Sequence, residues 1–136
     1  LGIAQAHMVR KLQGEITRPL LVLSGGETSV TVRGDGRGGR NVEYLLGLFD
    51  TLEGAEGVYA LAVDTDGIDG SEDNAGAVFG PESWKRAKAL QLSARDYLNR
   101  NDAYSFFAAI NDLVVTGPTR TNVNDFRAIL VLPRPV

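Results

Sequence analysis

Apolar positions along the chain switch repeatedly between two spacings. In the opening stretch, Ile3, Met8 and Leu12 recur at helical intervals, and Gly14 followed by Pro19 ends the predicted helix. Residues 20–23 form a continuous apolar run closed by Ser24-Gly25-Gly26, and 29–32 alternates with Val30 and Val32 on one side, which predicts two short strands around a Gly-Gly bend. Residues 41–52 place Leu45, Leu48, Phe49 and Leu52 on one helical face, and this helix opens directly from a glycine-rich block at 34–39. The run 57–63 reads as a buried strand that leads straight into an acidic loop beginning at Asp64. A short strand is expected at 75–79, then helices over 81–90, 93–99 and 102–110, with Pro81 in a first turn and Ser93 and Asp102 as N-caps. Two closing strands, 113–115 and 128–132, flank the polar loop 116–125. Trp84, Tyr97, Phe106 and Phe107 fall at helical spacing and are expected in the core.

Strands alternating with helices predict an α/β fold, a layered sheet with flanking helices. Loops at strand ends are then the places to look for ligands. The 136 residues, 43% hydrophobic and 23% charged, suit one compact domain with a sizeable core and exclude a disordered chain. No apolar run approaches the roughly 18 to 20 residues that span a bilayer, and no secretory leader opens the sequence. Without cysteine there is no disulfide framework or thiolate chemistry, so the cytoplasm is the expected compartment. The net charge of −3 gives no footprint for nucleic acid, and neither a nucleic-acid nor a membrane partner is expected. The single histidine, His7, cannot build a multi-histidine metal site and is assigned no role. Leu1 is not a natural initiator, so the chain is expected to be part of something longer.

Glycine is the unusual feature. Of 16 glycines, 13 lie between Gly25 and Gly80. The block Gly34-Asp35-Gly36-Arg37-Gly38-Gly39-Arg40-Asn41 satisfies G-x-G-x-x-G and nearly satisfies a P-loop, but Arg40 replaces the lysine, and Asn41 the hydroxyl that should hold magnesium. Both patterns share one piece of physics: backbone N–H groups, a helix N-terminus and the forks of Arg37 and Arg40 can converge on an anion. A tight strand-to-helix turn is the alternative. The acidic loop holds Asp64, Asp66, Asp69, Glu72 and Asp73, oxygen ligands suited to Mg²⁺ or Ca²⁺, although its register is not that of an EF-hand. A solvated acidic turn is the other reading. Loop 116–125 offers Thr116, Thr119, Thr121, Asn122 and Asn124, which bond ligands without titrating and also build turns. Ser24 is no hydrolase nucleophile, since Val22 stands where the first glycine of that elbow belongs. Anion donors, carboxylates and neutral polar groups together suit a phosphorylated ligand with a divalent cation.

Four ordered segments then resemble the MOFRL domain of glycerate 2-kinases: Leu23-Ser24-Gly25-Gly26-Glu27-Thr28, the stretch from Val32 to Asn41, Asp64-Thr65-Asp66-Gly67-Ile68-Asp69-Gly70, and Thr116 to Asp125. The resemblance implies that residues 1–136 are the C-terminal domain of a longer, two-domain chain whose site lies in the cleft with its own N-terminal domain. It implies transfer of the ATP γ-phosphate to D-glycerate, giving 2-phosphoglycerate, with Mg²⁺ as cofactor. By the same resemblance Arg37 and Arg40 are catalytic candidates, and Glu27, Asn41 and the amides of Gly36, Gly38 and Gly39 face substrate and phosphates. Thr119, Asn122 and Asn124 join them from the last loop, while Asp64 and Asp66 lead the metal carboxylates. Relatives also carry the name hydroxypyruvate reductase, so an NAD(P)H-dependent domain and a non-catalytic ligand-binding module stay open. Val42 stands where the family commonly has glutamine, and Arg120 where it commonly has glycine.

Overall fold

A computed structural model of the chain describes residues 1–26, 36–70, 72–121 and 124–134. Its elements are α1 (Gly2–Gln13), β1 (Leu20–Gly26), α2 (Arg40–Leu52), β2 (Val58–Asp64), β3 (Gly76–Phe79), α3 (Pro81–Ala89), α4 (Ala94–Asn99), α5 (Ala103–Ala109), β4 (Leu113–Val114) and β5 (Asp125–Val131). The strands form one sheet in the order β1-β5-β2-β3-β4, and every neighbouring pair is antiparallel. The layered α/β expectation holds, with an antiparallel sheet.

The inward positions of the strands, Val58, Ala60, Ala62, Ala77, Phe79, Ile129 and Val131, are buried beneath α2 and its neighbours. Small residues in the middle of β2 let α2 lie close, and Leu45, Leu46, Leu48 and Phe49 fill the space between. Phe49 is the hub of an aromatic cluster, with ring centroids 5.2 Å from Phe79 and from Phe106 and 5.4 Å from Trp84. Phe106 and Phe107 are fully buried, whereas Trp84 and Tyr97 pack against the core from its rim.

Three expectations need correction. α1 forms, but its buried face is Gly2, Ala6, Val9 and Gln13, leaving Ile3 and Met8 exposed. Small residues win there because the helix lies against α2 so closely that a Cβ on Gly2 would sit 2.5 Å from the Tyr44 carbonyl oxygen. β1 continues through Gly25 and Gly26 instead of bending there, because both pair with β5. The strand expected at 29–32 lies outside the described residues. β5 begins at Asp125, three residues earlier than expected, so Asp125 is a strand residue and not part of the preceding loop.

Among the described residues, no helix covers the opposite face of the sheet. Leu21, Leu23, Tyr59, Val78, Phe126 and Leu130 stand on it with 36–57% of their surface exposed. The pairings Leu21↔Leu130↔Tyr59 and Leu23↔Ala128↔Leu61↔Val78 make this a continuous apolar surface across four strands.

Candidate functional site

The ends of β1 and β2 and the start of β5 lie side by side, with Gly26, Asp125 and Asp64 in register across the three strands. Asp64 and Asp125 occupy inward positions, 5% and 3% exposed. Arg40, the first residue of α2, reaches both of them. Its Nε donates to the two Asp125 oxygens at 3.0 and 2.8 Å, and its Nη2 donates to Asp64 Oδ2 at 2.6 Å. Asp125 also accepts from Asn41 Nδ2 at 2.9 Å and lies 3.7 Å from the Arg127 guanidinium. Arg127, itself buried, donates to Ser24 Oγ and to the Gly25 carbonyl, tying β5 to the end of β1.

The N-terminus of α2 has an acceptor already in place. Asp69 accepts from the backbone N–H groups of Asn41 (3.1 Å) and Val42 (3.0 Å) through separate oxygens, and from Asn41 Nδ2 at 3.3 Å. These are amides that the glycine-loop reading offers to an anion, and the chain's own carboxylate takes them. Burial raises the Asp69 carboxyl above the usual carboxylate range, with the amide hydrogen bonds opposing.

Gly36, Gly38 and Gly39 are required by close protein contacts. A Cβ on Gly39 would lie 2.4 Å from Asp69 Oδ1, and one on Gly36 would lie 2.4 Å from Asp102 Cβ and 2.5 Å from the Arg100 carbonyl oxygen. Gly36 N–H donates to that carbonyl at 3.0 Å, while Gly38, at φ +144°, passes beside the Tyr104 amide. Residues 36–39, leading into α2, are thus packed onto the turn between α4 and α5 and onto the acidic loop.

Arg37 is not gathered with Arg40. It forks onto Glu72 (Nε–Oε1 3.1 Å, Nη2–Oε2 2.8 Å) and lies over the Tyr104 ring at 4.5 Å, with its side chain 57% exposed. The two arginines therefore serve separate ion pairs. Asp66 donates its N–H to Asp64 Oδ1 at 3.2 Å and accepts at Oδ1 from Ile68 N–H at 2.8 Å. Burial raises the pKa of Asp64, the neighbouring Asp66 carboxylate adds to the rise, and Arg40 opposes it. Thr119 fastens the last loop to the acidic one: its N–H donates to the Asp66 carbonyl at 3.1 Å and its hydroxyl to the Thr65 carbonyl. Asn124 contributes its carbonyl, which accepts from Thr65 N–H at 3.0 Å and Oγ1 at 2.7 Å. Of the sequence candidates, Gly39, Arg40, Asn41, Asp64 and Asp66 come together, with Thr119 and Asn124 behind them. Gly36, Gly38 and Arg37 stand to one side, and Glu27 and Asn122 lie outside the described residues.

Asp125 and Arg127 gain roles that the sequence reading did not give them. The alternation Asp125, Arg127, Ile129, Val131 was the available signal, since the apolar half of that series faces the core. Among the described residues no group of three or more histidine, aspartate or glutamate side chains is placed to hold a metal ion, and no helix is long and apolar enough to cross a membrane.

The start of α2, the end of β2 and the start of β5 meet at the paired Arg40, and residues 20–125 match the MOFRL family. The chain belongs to the MOFRL family. It is 53% identical over 132 residues to an Agrobacterium vitis protein provisionally named hydroxypyruvate reductase, covering 96% of this chain and 34% of that protein. It is 43% identical over 110 residues to the D-glycerate 2-kinase of Thermotoga maritima, covering 81% of this chain and 26% of that enzyme. The crystal structure of a glycerate kinase from Thermotoga maritima superimposes with a TM-score of 0.91 at 37% identity, over 96% of this chain and 32% of that one. The chain thus spans between a quarter and about a third of the length of these relatives.

Proposed function

We propose that this domain forms one wall of the active site of a glycerate kinase that transfers the γ-phosphoryl group of ATP to D-glycerate, giving 2-phosphoglycerate. The observation that carries the reading is Arg40, whose guanidinium is held by Asp64 and Asp125 where the end of β2 meets the start of β5, in a chain similar to D-glycerate 2-kinase. Phosphoryl transfer asks mainly for positioning and for neutralisation of charge on the transferring oxygens, and a fixed guanidinium supplies both.

Mg²⁺ in nucleotide sites keeps several waters and takes one or two carboxylates together with phosphate oxygens. The adjacent Asp64 and Asp66 fit that pattern, although they do not form an all-protein cage. Asp66 would hold the ion, with Asp64 as second ligand sharing its Oδ2 with Arg40. The bound ion would neutralise phosphate charge. Arg40 would orient the phosphoryl oxygens, and Thr119 would hold the acidic loop in place beneath them.

The bare apolar sheet face supports a second domain as partner. A chain about one third as long as its relatives leaves room for one, and packing that domain on this face would bury Leu21, Leu23, Phe126 and Leu130. The cysteine-free composition favours the reducing cytoplasm as its location.

A cofactor titration of the full-length protein tests the reading against the reductase name. Turnover of D-glycerate with ATP and Mg²⁺, and none of hydroxypyruvate with NADH or NADPH, is expected. The converse result would replace the kinase by an oxidoreductase.

A further inference from the structure

We propose that Asp125 is a positioning residue, which with Asp64 fixes the plane of the Arg40 guanidinium at the site; the proposal rests on the kinase reading for its catalytic consequence but not for its geometry. A guanidinium held by one carboxylate can pivot about that contact. Arg40 is held at two corners by carboxylates from neighbouring strands, at Nε by Asp125 and at Nη2 by Asp64. Asp64 and Asp125 are cross-strand partners in the β2–β5 register, so their spacing is set by the sheet and not by loop conformation.

Asp125 is itself immobilised. It is 3% exposed, and besides Arg40 Nε its Oδ1 accepts from Asn41 Nδ2 at 2.9 Å while its Oδ2 lies 3.7 Å from the Arg127 guanidinium, so turning it away from Arg40 would also break the Asn41 bond and the Arg127 ion pair. Asn41 follows Arg40 on α2 and shares the same carboxylate, which fixes the start of the helix with respect to β5. The Arg40 side chain, anchored from within, remains 22% exposed. An arginine oriented before substrate arrives needs no reorganisation during reaction, and a lysine could not bond at both corners with one planar fork.

The test uses the full-length protein with Arg40→Gly, which empties the guanidinium position, and guanidinium chloride added at millimolar concentration as the probe. Kinase turnover with ATP and D-glycerate should fall roughly a hundredfold in Arg40→Gly and be partly restored by guanidinium, saturably. In Arg40→Gly/Asp125→Asn the half-saturating guanidinium concentration should rise tenfold or more, because one of the two anchors is weakened. Asp125→Asn alone should lower kcat with little change in KM for ATP. Saturable thermal stabilisation of Arg40→Gly by guanidinium, lost in the double variant, reads the same clamp without any turnover. A protein inactive as a kinase that still shows this stabilisation would refute the kinase reading and retain the clamp. Equal half-saturation in the single and double variants, or no saturable guanidinium effect in either assay, would overturn the role of Asp125.

Discussion

Asp69 caps the helix that begins the candidate site, one oxygen on the Asn41 amide and the other on the Val42 amide. Removing the carboxylate in Asp69→Ala leaves both donors buried and should destabilise the protein by roughly 2 kcal/mol or more, read as a shift in chemical denaturation. Stability unchanged within error would mean that the cap is dispensable.

The same carboxylate makes a pH prediction with a definite sign. Its folded-state pKa is raised by burial, so the folded protein holds this proton more tightly than the unfolded chain does. That contribution is fully present below the unfolded value near ~4 and is lost as pH rises through the folded pKa. The melting temperature of the wild-type protein relative to Asp69→Asn should therefore decline as pH is raised from acid across that window. A constant difference would contradict the assignment.

Gly39 and Asp69 cannot both keep their places if a methyl group is added between them. Gly39→Ala would bring Cβ to 2.4 Å from Asp69 Oδ1 and should cost about 1–3 kcal/mol. Combined with Asp69→Ala the loss should be less than additive, because the clash with the carboxylate is removed and only that with the Asp69 backbone carbonyl carbon, 2.6 Å away, remains. Strict additivity in a double-mutant cycle would separate the two residues.

Arg120 occupies the left-handed region at φ +61°. A side chain there is strained, and glycine takes up this conformation without that cost. Arg120→Gly should be neutral to stabilising by up to ~1 kcal/mol in denaturant unfolding, and a clear loss of stability would show that the arginine makes contacts worth more than its strain.

The elements were legible in the sequence because each long apolar pattern had one period. Ser93, for example, caps α4 as expected by accepting from Asp96 N–H at 3.3 Å. Less legible was which of two apolar faces would be buried. α1 presents Ile3 and Met8 outward because small residues allow its close approach to α2, a pairwise fact absent from either helix alone. In the site, residue types were readable but pairings were not. Arg37 and Arg40 look equivalent in the glycine block, yet one meets Glu72 and the other Asp64 and Asp125, because only the fold brings 125 beside 64. The glycine pattern also could not show that Gly39 and Gly36 leave room for Asp69 and Asp102.

The outward residues of β1 and β5 give a prediction that does not involve the site. Leu23 and Phe126 are 57% and 41% exposed, so replacing both by serine should change the stability of the 136-residue chain little if it folds by itself. In the full-length protein the same change should lower the melting temperature by several degrees, as expected when ~1–2 kcal/mol of apolar burial is lost. Equal effects in both proteins would mean that the face is not a domain contact.

The most direct measurement is kcat for D-glycerate phosphorylation by the full-length protein with Arg40→Lys, compared with Arg120→Ala and accompanied by a thermal melt of each. A guanidinium held by Asp64 and Asp125 and acting on the transferring phosphoryl group predicts a folded Arg40→Lys enzyme about a hundredfold slower, and an Arg120→Ala enzyme close to wild type. A folded Arg40→Lys enzyme with normal turnover would contradict it, leaving Arg40 as an ion-pair strut between α2 and the sheet.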